Sequence, residues 1–351
     1  MSGEPSSAEL PLPPFFRAEN CRSWRHEADA SRLLDHSGTW AATHGVEPAT
    51  SDRSKNHLLI IDAQRDFCLA EGGLFVGGRS GTGALEDTER LARFVYRNLG
   101  RLTEITCTLD THLPFQIFFP SFWLDVDGEH PAENTVVTSE QIREGEFRPN
   151  PAVAGWLCND NVPWLKRQVE DYCRRLEEAG RYELYLWPPH CLLGSSGHSL
   201  VGAIQEARLF HAFCRGAKNF VEVKGGNILT ENYSALAPEV LERHDGKVLG
   251  SRNEALLDSL LAADRILVAG QAASHCVRAT VEDLLQGMAE RGADPGKLYL
   301  LEDCMSPVAV PDGAGGFLAD FTDDSTAALK RFAATGAHVV RSTLPMSRWP
   351  G

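Results

Sequence analysis

Six short apolar runs punctuate this chain, and most close on a residue that can do chemistry. Residues 58–61 lead to Asp62, 105–109 to Asp110 and His112, and 182–187 to His190. Residues 220–223 lead to Lys224 and 266–269 to Cys276; 298–301 form the sixth run. Such runs, bounded by turn residues and separated by helical patterns, predict strands of a mostly parallel sheet buried on both faces. In an open α/β sheet, ligands bind in the crevice beyond the carboxyl ends of the strands, so these distant residues are expected to converge. Asp, Lys and Cys are the parts of a nucleophilic centre, and Asp with two His is a small metal site.

Helical stretches alternate with the runs. Residues 83–100 carry apolar residues at helical spacing and stop on a glycine, 162–180, 198–216, 275–292 and 325–336 read the same way, and 253–265 also reads as a helix. The expected fold is therefore α/β: three layers, α/β/α, around a mostly parallel six-stranded sheet, with 338–340 as a further short strand. Residues 1–54 read as an N-terminal arm packed on the main domain or on a partner subunit. Residues 55–345 read as the main domain, interrupted at about 113–181 by an insertion rich in Pro and aromatics.

A length of 351 residues suits one large domain with additions. The formal net charge of -14 argues against a nucleic-acid partner, which needs clustered Lys and Arg. No apolar stretch reaches the ~18 residues of a membrane span, and the first residues lack the basic-then-apolar pattern of a secretory signal. Nine cysteines without a CxxC pair read as reduced core residues in a reducing compartment, and the cytoplasm is the expected location.

Cys276 falls at a strand-to-helix junction. A helix N-terminus lowers a thiol pKa, and free amides in the turn can bind an oxyanion. A lone cysteine there is more often a buried capping residue. Asp62 ends an apolar strand, where a carboxylate requires a partner such as Lys224; alone it reads equally as a cap or an ion pair. Lys224 alone reads as a solvated strand end. Asp110 and His112 stand at i and i+2 of an extended segment and so face one side, and His190 completes three ligands with open positions for water or substrate. This donor set suits Zn, Fe or Mn.

Taken together, D-x-Q-x-D-F (Asp62, Gln64, Asp66, Phe67), D-T-H (Asp110 to His112), W-P-x-H-C (Trp187 to Cys191), K-G with a later Y-S (Lys224, Gly225, Tyr233, Ser234) and G-x-A-x-S-H-C-V (Gly270 to Val277) resemble the isochorismatase-like cysteine hydrolases. The D-x-H with W-P-x-H-C is most similar to their nicotinamidase branch. The blocks stand in the family's order across roughly residues 56–345. The resemblance implies a catalytic triad of Asp62, Lys224 and Cys276, with an oxyanion hole from the amides of Ala272 and Cys276 beside a cis peptide between Gln271 and Ala272. It further implies substrate contacts from Phe67, Trp187 and Tyr233. A divalent metal, zinc first, would be held by Asp110, His112 and His190.

The implied activity is deamidation of nicotinamide or a related aromatic carboxamide through a thioester. The implied partners are a small amide substrate and other copies of the chain in a homo-oligomer. The alternatives are hydrolysis of a ureido or carbamoyl C–N bond, or a non-catalytic interaction protein using the same fold. Two departures stand out. Phe118 occupies a position where some nicotinamidases carry a further histidine ligand, which leaves three protein ligands plus water or a ligand such as His130 from the insertion. Ser274 replaces an acidic residue found in some members.

Overall fold

The computed structural model describes residues 9–180 and 182–350; part of the N-terminal stretch considered above, residues 1–8, lies outside them. β1 (Asn56–Ile61) is buried along its whole length. Its side chains alternate between two cores, with Leu58 and Ile60 in one and Leu59 and Ile61 in the other. This is the period-2 pattern of a strand covered on both faces. β2 (Glu104–Asp110), β3 (Asn219–Lys224), β4 (Arg265–Gly270), β5 (Leu298–Leu301) and β6 (His338–Val340) complete a sheet ordered β6-β5-β4-β1-β2-β3. Every neighbouring pair in it is parallel.

On one face lie α1 (Ala30–His44), α2 (Gly83–Arg97) and α4 (Gly202–Arg215), whose Leu33, Trp40, Phe94, Ile204 and Phe210 join the larger core. α5 (Glu254–Leu261), α6 (Cys276–Glu290) and α7 (Thr322–Ala334) cover the other through Leu257, Val281, Leu284 and Phe332. α3 (Val162–Ala179) lies in the insertion and buries Leu165 and Val169 against the larger core. The result is the expected three-layer α/β/α architecture. The strand order reverses beside β1, which opens the crevice between β1 and β4 where such sheets bind ligands.

One expected strand is not in this sheet. Within 182–187, only Leu184–Tyr185 is extended, and it pairs antiparallel with Val136–Val137. The insertion supplies that partner, and Pro188 and Pro189 follow at once, so the run cannot extend into a ladder. The sixth strand of the sheet is β6. His190 therefore arrives on a loop, whereas Asp62, Asp110, Lys224 and the Cys276 turn follow strands of the central sheet.

Residues 9–54 pack on this body. Asp29 caps α1 by accepting from the Arg32 amide at 3.0 Å, and Gly45 ends it in the left-handed region at φ 61°. Trp40 packs edge-on to Phe210 of α4 at 5.4 Å. Arg215, almost wholly buried, binds both carboxylate oxygens of Asp52 at 2.6 and 2.5 Å. All nine cysteines are unpaired. No described helix is long and apolar enough to cross a membrane.

Candidate active site

β1 and β4 run side by side to Ile61 and Gly270. Gly270 takes φ 117°, and a Cβ on it would lie 1.9 Å from the Ile61 carbonyl oxygen, so only glycine lets the two strands diverge here. Beyond that point the chain makes the cis Gln271–Ala272 peptide. Gln271 is fastened by Asp87, which accepts from its Nε2 at 3.0 Å and from Ser306 Oγ at 2.6 Å, and the Ser306 amide donates to Gln271 Oε1. This loop delivers Cys276 as the first residue of α6. Among the described residues, no acceptor is recorded for the amides of Ala272 or Cys276, although their neighbours Ala273, His275 and Val277 all donate.

Asp62, fully buried after β1, receives a 2.5 Å hydrogen bond on Oδ1 from Thr108 Oγ1 of β2. Its Oδ2 lies 2.9 Å from Lys224 Nζ. Lys224 also lies 3.0 Å from Asp110 Oδ1 and 3.7 Å from Cys276 Sγ, and it donates to the Asn232 carbonyl at 2.8 Å. Cys276 Sγ and a carboxylate oxygen from each of Asp62 and Asp110 lie within 4.8 Å of one another. The three residues expected as a triad thus meet.

Their electrostatics differ from expectation at the cysteine. Burial pushes the Cys276 thiol well above its ordinary value, and Lys224 only partly offsets this. The helix N-terminus does not outweigh desolvation, so the resting group is a thiol. Burial also raises the Asp62 carboxyl, against the pull of Lys224. For Lys224, burial works against the charge, but Asp110 and Asp62 together hold its pKa up and keep it an ammonium.

Donor atoms of Asp110, His112 and His190 lie within 4.8 Å of one another, all buried. His112 Nε2 is 2.9 Å from Asp110 Oδ2. Gln64 fixes the Asp110 backbone with two hydrogen bonds and adds a third to His198: its Nε2 donates to the Asp110 and His198 carbonyls at 2.8 and 2.9 Å, and its Oε1 accepts from the Asp110 amide at 2.8 Å. Asp66 Oδ2 accepts from the Cys191 amide at 2.6 Å, and the His112 amide donates to the Cys191 carbonyl at 3.0 Å, which brings His190 to the pair. His190 donates from Nδ1 to the Pro188 carbonyl at 2.7 Å, leaving Nε2 toward the cluster. Burial first, then His112, lowers its pKa to about 3, so the ring is neutral and can ligate. Gly225 closes the cradle: at φ 85°, a Cβ would sit 2.7 Å from Asp110 Oδ1. Three buried N/O donors with an outer shell fit a Zn-, Fe- or Mn-type ion.

One cavity joins the two clusters. Phe67, Trp187 and Tyr233, expected as substrate contacts, all line it with Cys276 and the metal-type residues. Phe118 also lines it, its ring 4.8 Å from that of His112. Among the described residues, His130 belongs to no donor cluster; it hydrogen-bonds the Trp123 carbonyl inside the insertion. Ser274 Oγ accepts from the Val308 amide at 3.0 Å.

Glu231, which no sequence motif singles out, is almost fully buried. It accepts from the hydroxyls of Tyr233 at 2.5 Å and Tyr172 at 3.1 Å, and Trp187 Nε1 donates to Tyr233 at 2.9 Å. Burial raises its pKa to about 8. Nothing in the local pattern of 227–232 marks it, because it owes its surroundings to Tyr172 of the insertion. Thr108 had a faint signal, a hydroxyl within an apolar strand.

Compared with known proteins, the chain matches no family model and no curated relative. It is similar in fold to solved nicotinamidases and pyrazinamidases. The yeast nicotinamidase Pnc1p bound to the inhibitor nicotinaldehyde is 18% identical over 82% of this chain and 99% of that one, with a TM-score of 0.48. The pyrazinamidase of Pyrococcus horikoshii in complex with zinc is 18% identical over 82% and 99%, TM-score 0.44. An Acinetobacter baumanii nicotinamidase is 16% identical over 84% and 99%, TM-score 0.48.

Proposed function

We propose that the chain is a cysteine amidohydrolase converting nicotinamide, or a related aromatic carboxamide, to the acid and ammonia. The observation that carries this reading is the meeting of Asp62, Lys224 and Cys276 directly beside Asp110, His112 and His190, with Cys276 and the three metal-type residues lining one cavity. Asp62 accepts the thiol proton as Cys276 Sγ attacks the carboxamide carbon, so thiolate forms only with substrate in place. The raised thiol is consistent with that order. Charge developing on the carbonyl oxygen is met by the Ala272 and Cys276 amides. Asp62 returns the proton to the departing nitrogen, and ammonia leaves a thioester. Water, deprotonated by Asp62, then releases the acid and restores the thiol. Lys224 keeps Asp62 oriented and offsets the charges of two carboxylates.

Asp110, His112 and His190 would hold a divalent cation, which when bound supplies a Lewis-acidic point for a ring nitrogen. Phe67 and Trp187 give the ring apolar walls. Steady-state ammonia release from nicotinamide and a panel of aromatic and ureido substrates tests the reading. Turnover of an aromatic carboxamide by the wild type, reduced at least about 10³-fold in Cys276→Ala, is the expected result. No amide turnover, or an equally active alanine variant, overturns it.

A further inference from the structure

The two edges of the central sheet differ. β6 is a three-residue edge, with His338 against Tyr299 of β5. β3 is six residues long and, among the described residues, pairs with β2 on one side only. It contains no proline, and its Phe220, Val221 and Val223 are 50, 37 and 63% exposed. A long edge strand of β-branched and aromatic residues without a bulge or proline is a template for another strand. We propose that this edge is covered by the β3 of a second copy of the chain, paired antiparallel about a two-fold axis at Phe220, so that one sheet runs through the dimer.

Charge selects both the occupant and the register. Phe220 and Glu222 share one face of β3, and Lys218, the residue just before the strand, stands on the same side with its ammonium near the Phe220 ring. With Phe220 opposite its counterpart, Lys218 of each copy stands opposite Glu222 of the other, and the charged pairs flank the two aromatic rings. A slip of one residue places Lys218 opposite Val223 and Glu222 opposite Asn219. A slip of two places Lys218 opposite the Lys224 position in one direction and Phe220 in the other. Only the Phe220-centred register satisfies both charges, and a self-complementary strip is what a two-fold interface requires. Lys218 is exposed, with its ammonium 6.0 Å from the Phe220 ring centre, free to turn toward a partner. Glu222 is half-buried and accepts from Asn253 Nδ2 at 3.2 Å, which fixes it on that face.

Sedimentation velocity of the full chain, at micromolar concentrations and independent of any substrate, tests the proposal. The wild type is expected to sediment as a dimer. Phe220→Asp places two carboxylates on the axis and yields a monomer. Lys218→Glu weakens the dimer at least tenfold, and adding Glu222→Lys to it restores association. Phe220→Cys forms an intermolecular disulfide under mild oxidation, because directly opposed residues have Cα atoms about 4.5–5.5 Å apart, within disulfide reach. Circular dichroism melts of each variant establish that it is folded. A monomeric wild type overturns the proposal, as does a dimer indifferent to Phe220→Asp. Failure of the charge exchange to restore the dimer overturns the register.

Discussion

Gly225 illustrates how little room the metal-type cluster leaves. Its φ of 85° is one that side-chain-bearing residues avoid, and a Cβ would lie 2.7 Å from Asp110 Oδ1 and 3.0 Å from His112 Cε1. Gly225→Ala should push Asp110 off its partners while sparing the apolar core. The expected outcome is a folded protein whose affinity for zinc falls about 10–100-fold, measured by competition with a chromophoric chelator. Unchanged affinity would remove Asp110 from the ligand set. Of the single residues, the six expected in the two clusters were legible because each stood beside an apolar run or in a tight motif. Glu231 was not, since its partner Tyr172 lies far off in sequence and reaches it only through the fold. The Cys276 thiol shows the same limit: helix position is local, whereas desolvation depends on everything packed around the thiol.

At the scale of elements, the loop after β1 is a bracket for the loop after β2. Gln64 makes three hydrogen bonds, two of them to the Asp110 backbone, and Asp66 secures the His190 loop through Cys191. Gln64→Leu preserves volume but leaves buried peptide groups unpaired at the Asp110 backbone and the His198 carbonyl. We expect kcat/KM for the carboxamide to drop about 10–100-fold, with zinc affinity falling in parallel; a loss of activity with normal zinc affinity would place the effect elsewhere. The run at 182–187 misled for a reason that belongs to this scale. Apolar strand propensity identifies an extended segment but not its partner, and here the insertion offered Val136–Val137.

Two predictions concern the whole molecule. Arg215 is 1% exposed and its guanidinium is held by Asp52 of the N-terminal arm. Asp52→Ala leaves a buried cation without its anion, which costs about 3–5 kcal/mol in urea unfolding; a loss below about 1 kcal/mol would show that water reaches Arg215. The second concerns acid. Burial lowers His57 and His211 to about 4 each, with His57 against Thr106 and His211 donating to the Leu102 carbonyl. Unfolded histidines titrate near 6.5, so between about pH 6.5 and 4 the unfolded chain binds more protons. Stability therefore falls as pH drops through that window, by about 1.4 kcal/mol per pH unit for each histidine at full effect. His211→Gln, which retains a donor for Leu102, should flatten the slope of unfolding free energy against pH; an unchanged slope would exclude His211.

The sequence by itself determined the β–α alternation, the burial of β1 on both faces and the identity of the six residues in the two clusters. Those properties are written in periodicity and in short motifs, where neighbours along the chain carry the information. Only the tertiary structure decided which extended segments share the sheet, where Lys224 stands between two carboxylates, and that the Cys276 thiol is raised. Strand partners, ion-pair distances and desolvation are set by residues far apart in the chain, and no local pattern encodes how closely they approach.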